Sequence, residues 1–336
     1  MLAILTISRN TFTESIRQPI FLVMIGLVAA GLLLGLATSS YTFADDTVQM
    51  IIMGLFMMLL AGGVLAALVA SGVISREVEN RTVLTVISKP ISRPAFVLGK
   101  YLGVMAAVTL AMWIWVLIYL LTVRHKVIAA AGDELDWPVI VFGFSAVGIA
   151  LVVATFGNYF YNWAFNATFI RVLAVTITLA YLMVLLINKQ WQFQPITTEF
   201  DPDLAPLTNY GEERKSLVDV VLALGLVYLG VCVLTAVAVA VSTRLGQVMT
   251  LLVTLGVWAL GVLNDALFGR NADTSVVADA LYHILPNFQF FFLADALTLQ
   301  HSVTAGYVGQ LVAYAAALVI AALALGVALF QTRETG

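Results

Sequence analysis

The chain has 336 residues, of which 62% are hydrophobic and only 10% are charged, and its formal net charge is −3. Soluble domains carry about 25% charged residues, so this composition excludes an ordinary soluble protein and predicts a polytopic membrane protein. The single cysteine, Cys232, excludes an intrachain disulfide and a multi-cysteine metal site. We therefore expect an all-α fold, a transmembrane helical bundle forming one domain over residues 1–336.

The first 19 residues precede the first long apolar run. Leu5, Ser8, Phe12 and Ile16 recur at helical spacing in this segment, and Pro19 follows it. The pattern predicts an amphipathic helix over residues 1–19 that lies in the membrane interface. A loosely ordered cap is the alternative.

Apolar runs of about 20 residues, the length that a membrane-spanning helix needs, recur along the rest of the chain. The fourth and fifth runs are separated by the polar-aromatic stretch 158–166, which is either a loop at the interface or a break within one helix. The eight predicted spans are 20–41, 48–74, 98–123, 138–157, 170–188, 219–243, 246–264 and 306–330.

Charge is concentrated between the second and third predicted spans, in the segment 75–97. Glu77 and Arg81 have the i,i+4 spacing that favours a helix, with the acid first. Pro90 disfavours helix in the residue before it, and Pro94 suits the first turn of the next span. The sequence therefore predicts a helix, a proline-bounded turn and a new helix start.

The third predicted span begins with a small-residue motif. Gly99 and Gly103 are four residues apart, which lets a neighbouring helix approach closely.

Lysine and arginine residues set the expected orientation. With the N-terminus in the cytoplasm, 10 of the 16 basic residues fall in cytoplasmic segments and six fall outside. The positive-inside rule favours this arrangement and places both termini in the cytoplasm. Segment 75–97 is then cytoplasmic, and the acidic, proline-containing loop 188–218 lies on the outer side, as a solvated face or a contact for an outer protein.

Segment 265–305 precedes the last span on the outer side. Apolar residues recur at helical spacing up to Leu285 and are stopped by Pro286, after which Phe288, Phe291 and Phe292 follow. Two short amphipathic helices are expected here, re-entering the outer membrane surface.

The charged segment resembles the signature region of exporter-type (type 2) ATP-binding cassette permeases. The resemblance rests on Arg76-Glu-Val-Glu79, Arg81-Thr82, Lys89-Pro-Ile-Ser-Arg93 and Leu98-Gly-Lys100. Arg81-Thr82 places the chain nearest the subset that includes permeases linked to multicopper-enzyme maturation. The similarity is expected to cover most of the chain except about 124–215. Because such permeases commonly have six spans, the fourth and fifth are expected to be an insertion.

The resemblance implies that segment 75–97 couples the permease to a separate ATPase. The implied contact residues are Arg76, Glu77, Glu79, Arg81, Thr82, Lys89, Pro90, Ser92 and Arg93. It also implies that Pro286, Phe288, Phe291 and Phe292 close the outer end of the transport path.

The implied function is ATP-driven export across a prokaryotic inner membrane. Two ATPase subunits and a second permease, identical or homologous, are the expected partners, with a possible outer accessory protein and no nucleic acid. The chain lacks a G-x-x-x-x-G-K-[ST] motif, so ATP and Mg²⁺ are expected to bind the partner, and the chain is not expected to be an enzyme. A non-transporting scaffold that couples a cytoplasmic ATPase to an outer protein is the alternative.

A methionine stripe is the remaining candidate site. Met50, Met53, Met57 and Met58 fall on one face of the second span. Thioethers suit Cu(I), but methionine also fills helix interfaces, and the packing interpretation is favoured. No catalytic residue and no metal site are predicted.

Overall fold

The computed structural model describes residues 2–38, 46–79, 92–125, 135–195, 217–271, 275–292 and 305–331. Helices account for most of these ranges. The α-helices are α1 (Leu2–Arg17), α2 (Pro19–Thr38), α3 (Asp46–Glu79), α4 (Arg93–His125), α5 (Trp137–Tyr161), α6 (Phe165–Leu186), α7 (Leu217–Ser242), α8 (Gln247–Val262), α9 (Asn264–Leu267), α10 (Val276–Ile284) and α11 (Ala305–Gln331). Short 3₁₀ helices lie at Gly269–Asn271 and Phe288–Phe291. The all-α transmembrane bundle predicted from composition is confirmed.

By length and composition, seven helices in the described part of the chain can cross a membrane: α2, α3, α4, α5, α6, α7 and α11. The seventh predicted span, 246–264, is the 16-residue helix α8. At 1.5 Å per residue it is about 24 Å long, shorter than the roughly 30 Å hydrocarbon core. The apolar pattern is continuous through this region, but the helix ends at Val262 and a new helical turn starts at Asn264.

The fourth and fifth predicted spans are two separate helices, α5 and α6. Asn162, between them, has φ of 57°, the left-handed conformation that asparagine tolerates at a helix end. The side-chain amide of Asn158 donates to the carbonyl oxygen of Trp163 at 2.7 Å and closes the turn. The broken-helix alternative is therefore wrong, and α5 and α6 form a hairpin at the edge of the bundle.

The core of the bundle is formed by α3, α4 and α7, the most buried of the long helices, whereas α5 and α11 are mostly exposed. Trp115 and Tyr119 of α4 are fully buried. The Tyr119 hydroxyl donates to the carbonyl oxygen of Ile51 in α3 at 2.9 Å, which satisfies a polar group in an apolar core. Since Ile51 lies near the start of α3 and Tyr119 near the end of α4, these two helices are antiparallel.

One end of the bundle, which we call the bridge end, carries the end of α3 and the start of α4. Phe96 of α4 stacks on Phe330 of α11 with ring centroids 5.3 Å apart. Asn166, at the start of α6, donates to the carbonyl oxygen of Arg17 at 3.3 Å. The N-terminal helix, the α5–α6 turn and the end of α11 therefore all lie at the bridge end.

Candidate functional site

The charged segment between α3 and α4 was predicted to couple the protein to an ATPase. Arg76, Glu77 and Glu79 lie in the last turn and a half of α3, and Arg93 begins α4. The carbonyl oxygen of Ser92 accepts from the amide of Phe96 at 3.1 Å. The remaining predicted contacts, Arg81, Thr82, Lys89 and Pro90, lie outside the described residues.

Helix α1 packs directly against the start of α4. A Cβ at Gly103 would lie 2.5 Å from Cβ of Thr11 and 2.6 Å from the carbonyl oxygen of Ser8, so only glycine permits this contact. Gly99 likewise packs closely against the side chain of Ile7. The close approach predicted from Gly99 and Gly103 is confirmed, and the neighbour is α1.

The face of α1 that packs on α4 differs from the predicted apolar stripe. Thr11, Ser15 and Ile16 are buried, whereas Leu5 is 66% exposed. Small side chains fit against the glycines of α4 where a leucine would not, so close packing rather than hydrophobicity orients this helix.

The junction between α1 and α2 contacts α3 as well. Gln18 is buried, and a Cβ at Gly72 would lie 2.9 Å from its Oε1. Lys100 is also buried in this region, with its ammonium 5.5 Å from the centre of the Phe96 ring. The N-terminal helix therefore joins both helices that flank the charged segment.

The predicted outer gate lies inside the bundle. Phe288 and Phe291 are fully buried. The Phe288 ring occupies the space that a side chain at Gly261 of α8 would fill. Phe291 packs in the same way on Gly230, near the middle of α7. The Phe292 ring meets Phe56 of α3 edge-on at 6.0 Å. These aromatic side chains therefore close the space among α3, α7 and α8.

A set of hydrogen bonds holds this aromatic segment. The Tyr314 hydroxyl of α11 accepts from the amide of Asn287 at 3.0 Å, and Asn287 Oδ1 accepts from the amide of Gln289 at 3.0 Å. The Gln289 side chain donates to the carbonyl oxygen of Val262 at 2.7 Å, where α8 ends. Non-helical backbone at membrane depth requires such partners. The polar residues were not identified from the sequence, although Asn287 directly before a helical start is a recognisable cap.

An apolar cavity of about 380 Å³ lies beside the predicted gate residue Phe292, between α2 and α3. Met50, Met53 and Met57 line it together with Phe292. Met58 is fully buried and is not part of the lining, so the predicted methionine stripe is divided between cavity and core. Methionine acts here as adaptable apolar packing, and copper binding stays a hypothesis.

Among the residues that the structure describes, no group of three or more His, Cys, Asp or Glu side chains is placed to hold a metal ion. A buried ion pair is structural: Arg124 Nε lies 3.4 Å from Asp136 Oδ2, where α4, α5 and α6 meet.

Comparison with known proteins gives one family. The family model described as "ABC-2 family transporter protein" matches residues 5–188, and no curated protein matches the chain. The matched range includes α5 and α6, whereas the resemblance was expected to be absent from 124–215. It contains α1, the charged segment and the Gly99–Gly103 contact, and it spans more than half of the chain. The chain therefore belongs to the ABC-2 transporter family, as a multi-pass membrane permease.

Proposed function

We propose that the chain is the membrane subunit of an exporter driven by ATP that a separate ATP-binding cassette ATPase hydrolyses. The family match over residues 5–188 is the observation that carries this proposal. The charged segment within that range supplies the docking element, with Arg76, Glu77, Glu79 and Arg81 as its charged contacts. Because the chain has no phosphate-binding loop, the energy comes from the partner.

Helix α3 suits the transmission of force from the ATPase to the gate. It is continuous over 34 residues, with Glu79 at the bridge end and Phe56 against the gate residue Phe292. At 1.5 Å per residue these two positions are about 35 Å apart along one helix. A displacement at residues 75–94 therefore reaches the gate through a single rigid element.

Helix α1 restrains the same movement. Its contacts with Gly99 and Gly103 of α4, and the contact of the adjoining Gln18 with Gly72 of α3, tie together the two helices that leave the charged segment. We expect the three helices to move as a unit when the ATPases close.

The complete transporter would contain two permease chains, identical or homologous, above two ATPase subunits. The bridge end would face the cytoplasm of a prokaryotic cell, in agreement with the excess of lysine and arginine there. The 188–218 loop would then face outward, where it could contact an accessory protein. A role for this permease in multicopper-enzyme maturation is supported only by the resemblance at Arg81-Thr82.

Charge reversal in segment 75–97, which we call the bridge, tests the proposal. Glu79→Lys or Arg81→Glu is expected to lower substrate-stimulated ATP hydrolysis by about tenfold, the effect of about 1.4 kcal/mol, because like charges would then meet at the interface. The measurement is the ATPase rate of the reconstituted complex. Arg171→Glu is the matched control, since Arg171 is exposed near the bridge end but lies outside the bridge.

Membrane insertion should be normal in all three variants. Full stimulation in both bridge variants would contradict the docking assignment. Vesicles that hydrolyse ATP, move no substrate and engage an outer protein would favour the scaffold function instead.

A further inference from the structure

A second cavity lies at the end of the bundle opposite the bridge end, where α8 gives way to the short helices that precede the gate. Its volume is about 480 Å³, within the usual range for small-molecule sites. It is lined by Asp265, Ala266, Gly269, Arg270, Tyr282 and Gln289. Its chemistry differs from that of the apolar methionine cavity, because an acid, a base, a phenol and an amide face it.

The carboxylate in this cavity is held in place by neighbouring groups. Asp265 Oδ1 accepts from the side-chain amide of Asn287 at 2.9 Å. Tyr282 is hydrogen-bonded to Asp265, and that bond and the negative charge raise the pKa of the Tyr282 hydroxyl. Tyr282 therefore stays protonated as a donor, and the carboxylate is oriented before any ligand arrives.

The base in the cavity is separate from the acid. Arg270 is exposed, and among the described residues no carboxylate lies within 4.0 Å of its guanidinium group. Asp265 and Arg270 line one cavity without neutralising each other. A cavity with separated charges of opposite sign is complementary to a ligand that carries both signs.

Exposed apolar side chains lie close in sequence to the cavity. Leu263 and Leu267, on either side of Asp265 in the chain, are 48% and 45% exposed. Exposed apolar side chains close in sequence to a charged cavity, in a bundle of membrane-spanning helices, suit a molecule with a charged head and hydrocarbon chains.

We propose that this cavity binds the headgroup of a zwitterionic phospholipid with a primary amine, such as phosphatidylethanolamine. The ammonium group lies at Asp265 and the phosphate at Arg270, where a guanidinium can form two parallel hydrogen bonds. A primary ammonium has three N–H donors for a carboxylate, whereas a quaternary ammonium has none and is usually held by several aromatic rings. Tyr282 is the single aromatic residue in the lining, so an ethanolamine headgroup fits better than choline. This binding does not depend on ATP-driven transport.

Lipid titration of the purified full chain, followed by native mass spectrometry, tests the proposal. We expect the wild-type protein to retain phosphatidylethanolamine in preference to phosphatidylcholine and phosphatidylglycerol. Asp265→Asn keeps an acceptor for Asn287 but removes the charge, and should weaken phosphatidylethanolamine binding about tenfold. Arg270→Gln should weaken all three lipids.

Asp279→Asn is the matched control, because Asp279 is an exposed acid on α10 that pairs with His283 and lies outside the cavity. Its lipid binding should equal that of the wild type. Phosphatidylethanolamine binding as strong as that of the wild type in both cavity variants would overturn the proposal. If Asp265→Asn does not fold, wild-type binding in Arg270→Gln alone would overturn it. Equal competition by soluble glycerophosphoethanolamine would overturn the assignment to a lipid.

Discussion

Replacing Asp136 by alanine is expected to destabilise the protein by about 3–5 kcal/mol, the usual cost of removing one partner from a buried ion pair. The Asp136 side chain is 1% exposed and that of Arg124 is 10% exposed, so water cannot solvate the charge that remains. Unfolding of the purified protein in detergent, followed by loss of helical signal with temperature or denaturant, measures the effect.

The effect is large because Arg124 joins three helices. Its guanidinium donates to the carbonyl oxygen of Val184, in the last turn of α6. It also donates to the carbonyl oxygen of Ile187, directly after α6, at 2.7 Å. Asp136 also accepts from the amide of Val139 at 3.3 Å, which caps α5. Removing the carboxylate would take away both the negative charge beside the buried Arg124 guanidinium and the cap at the start of α5.

Two variants separate these contributions. Asp136→Asn retains a cap acceptor and loses the charge, so it should destabilise the protein less than alanine does. Asp279→Ala removes an acid from an exposed pair, whose side chains are 55% and 71% exposed, and should change stability by about 1 kcal/mol or less. Equal losses for Asp136→Ala and Asp279→Ala would contradict the buried role of the Arg124–Asp136 pair.

Gly103→Leu is expected to separate α1 from α4. The new Cβ would overlap Cβ of Thr11 and the carbonyl oxygen of Ser8, and backbone atoms cannot move aside as a side-chain tip can. Overpacking of this kind costs about 1–3 kcal/mol. We expect faster amide hydrogen exchange throughout α1 and weaker coupling to the ATPase, with α7 and the rest of the core unchanged.

Gly148→Leu is the matched control for this substitution. Gly148 lies on an exposed face of α5, and a Cβ there has no atom within 4 Å. Its stability should change by about 0.5 kcal/mol or less. If α1 exchanges at the wild-type rate in Gly103→Leu, the glycine contact does not hold this helix.

Most of the helices could be predicted from hydropathy, because a long apolar run in a membrane must form its backbone hydrogen bonds within itself, as a helix does. The hairpin turn at Asn162 was uncertain, since asparagines and aromatic side chains suit both an interface loop and a break. The end of α8 at Val262 was not predicted, because the apolar pattern continues to Leu263. It is set instead by long-range packing against Phe288 and Gln289.

The candidate site was predicted in part. Gly99 and Gly103 indicated a close contact, but the partner was identified only by the three-dimensional structure. Arg124 and Asp136 were counted as outer-loop charges, and their burial was missed because it depends on three helices meeting. The docking role of all the predicted contacts in segment 75–97 stays a prediction, and Arg81, Thr82, Lys89 and Pro90 among them lie outside the described part of the chain.

Docking of an ATPase on the segment between α3 and α4 is the central claim, and site-specific photo-crosslinking tests it most directly. A photoreactive residue would replace Val83 within the bridge or Gln190, in the turn after α6 at the opposite end, with the full chain co-expressed with its ABC ATPase. Docking on this segment predicts a crosslink to the ATPase from position 83 and none from position 190. No crosslink from position 83, in a complex that still hydrolyses ATP on addition of substrate, would contradict it.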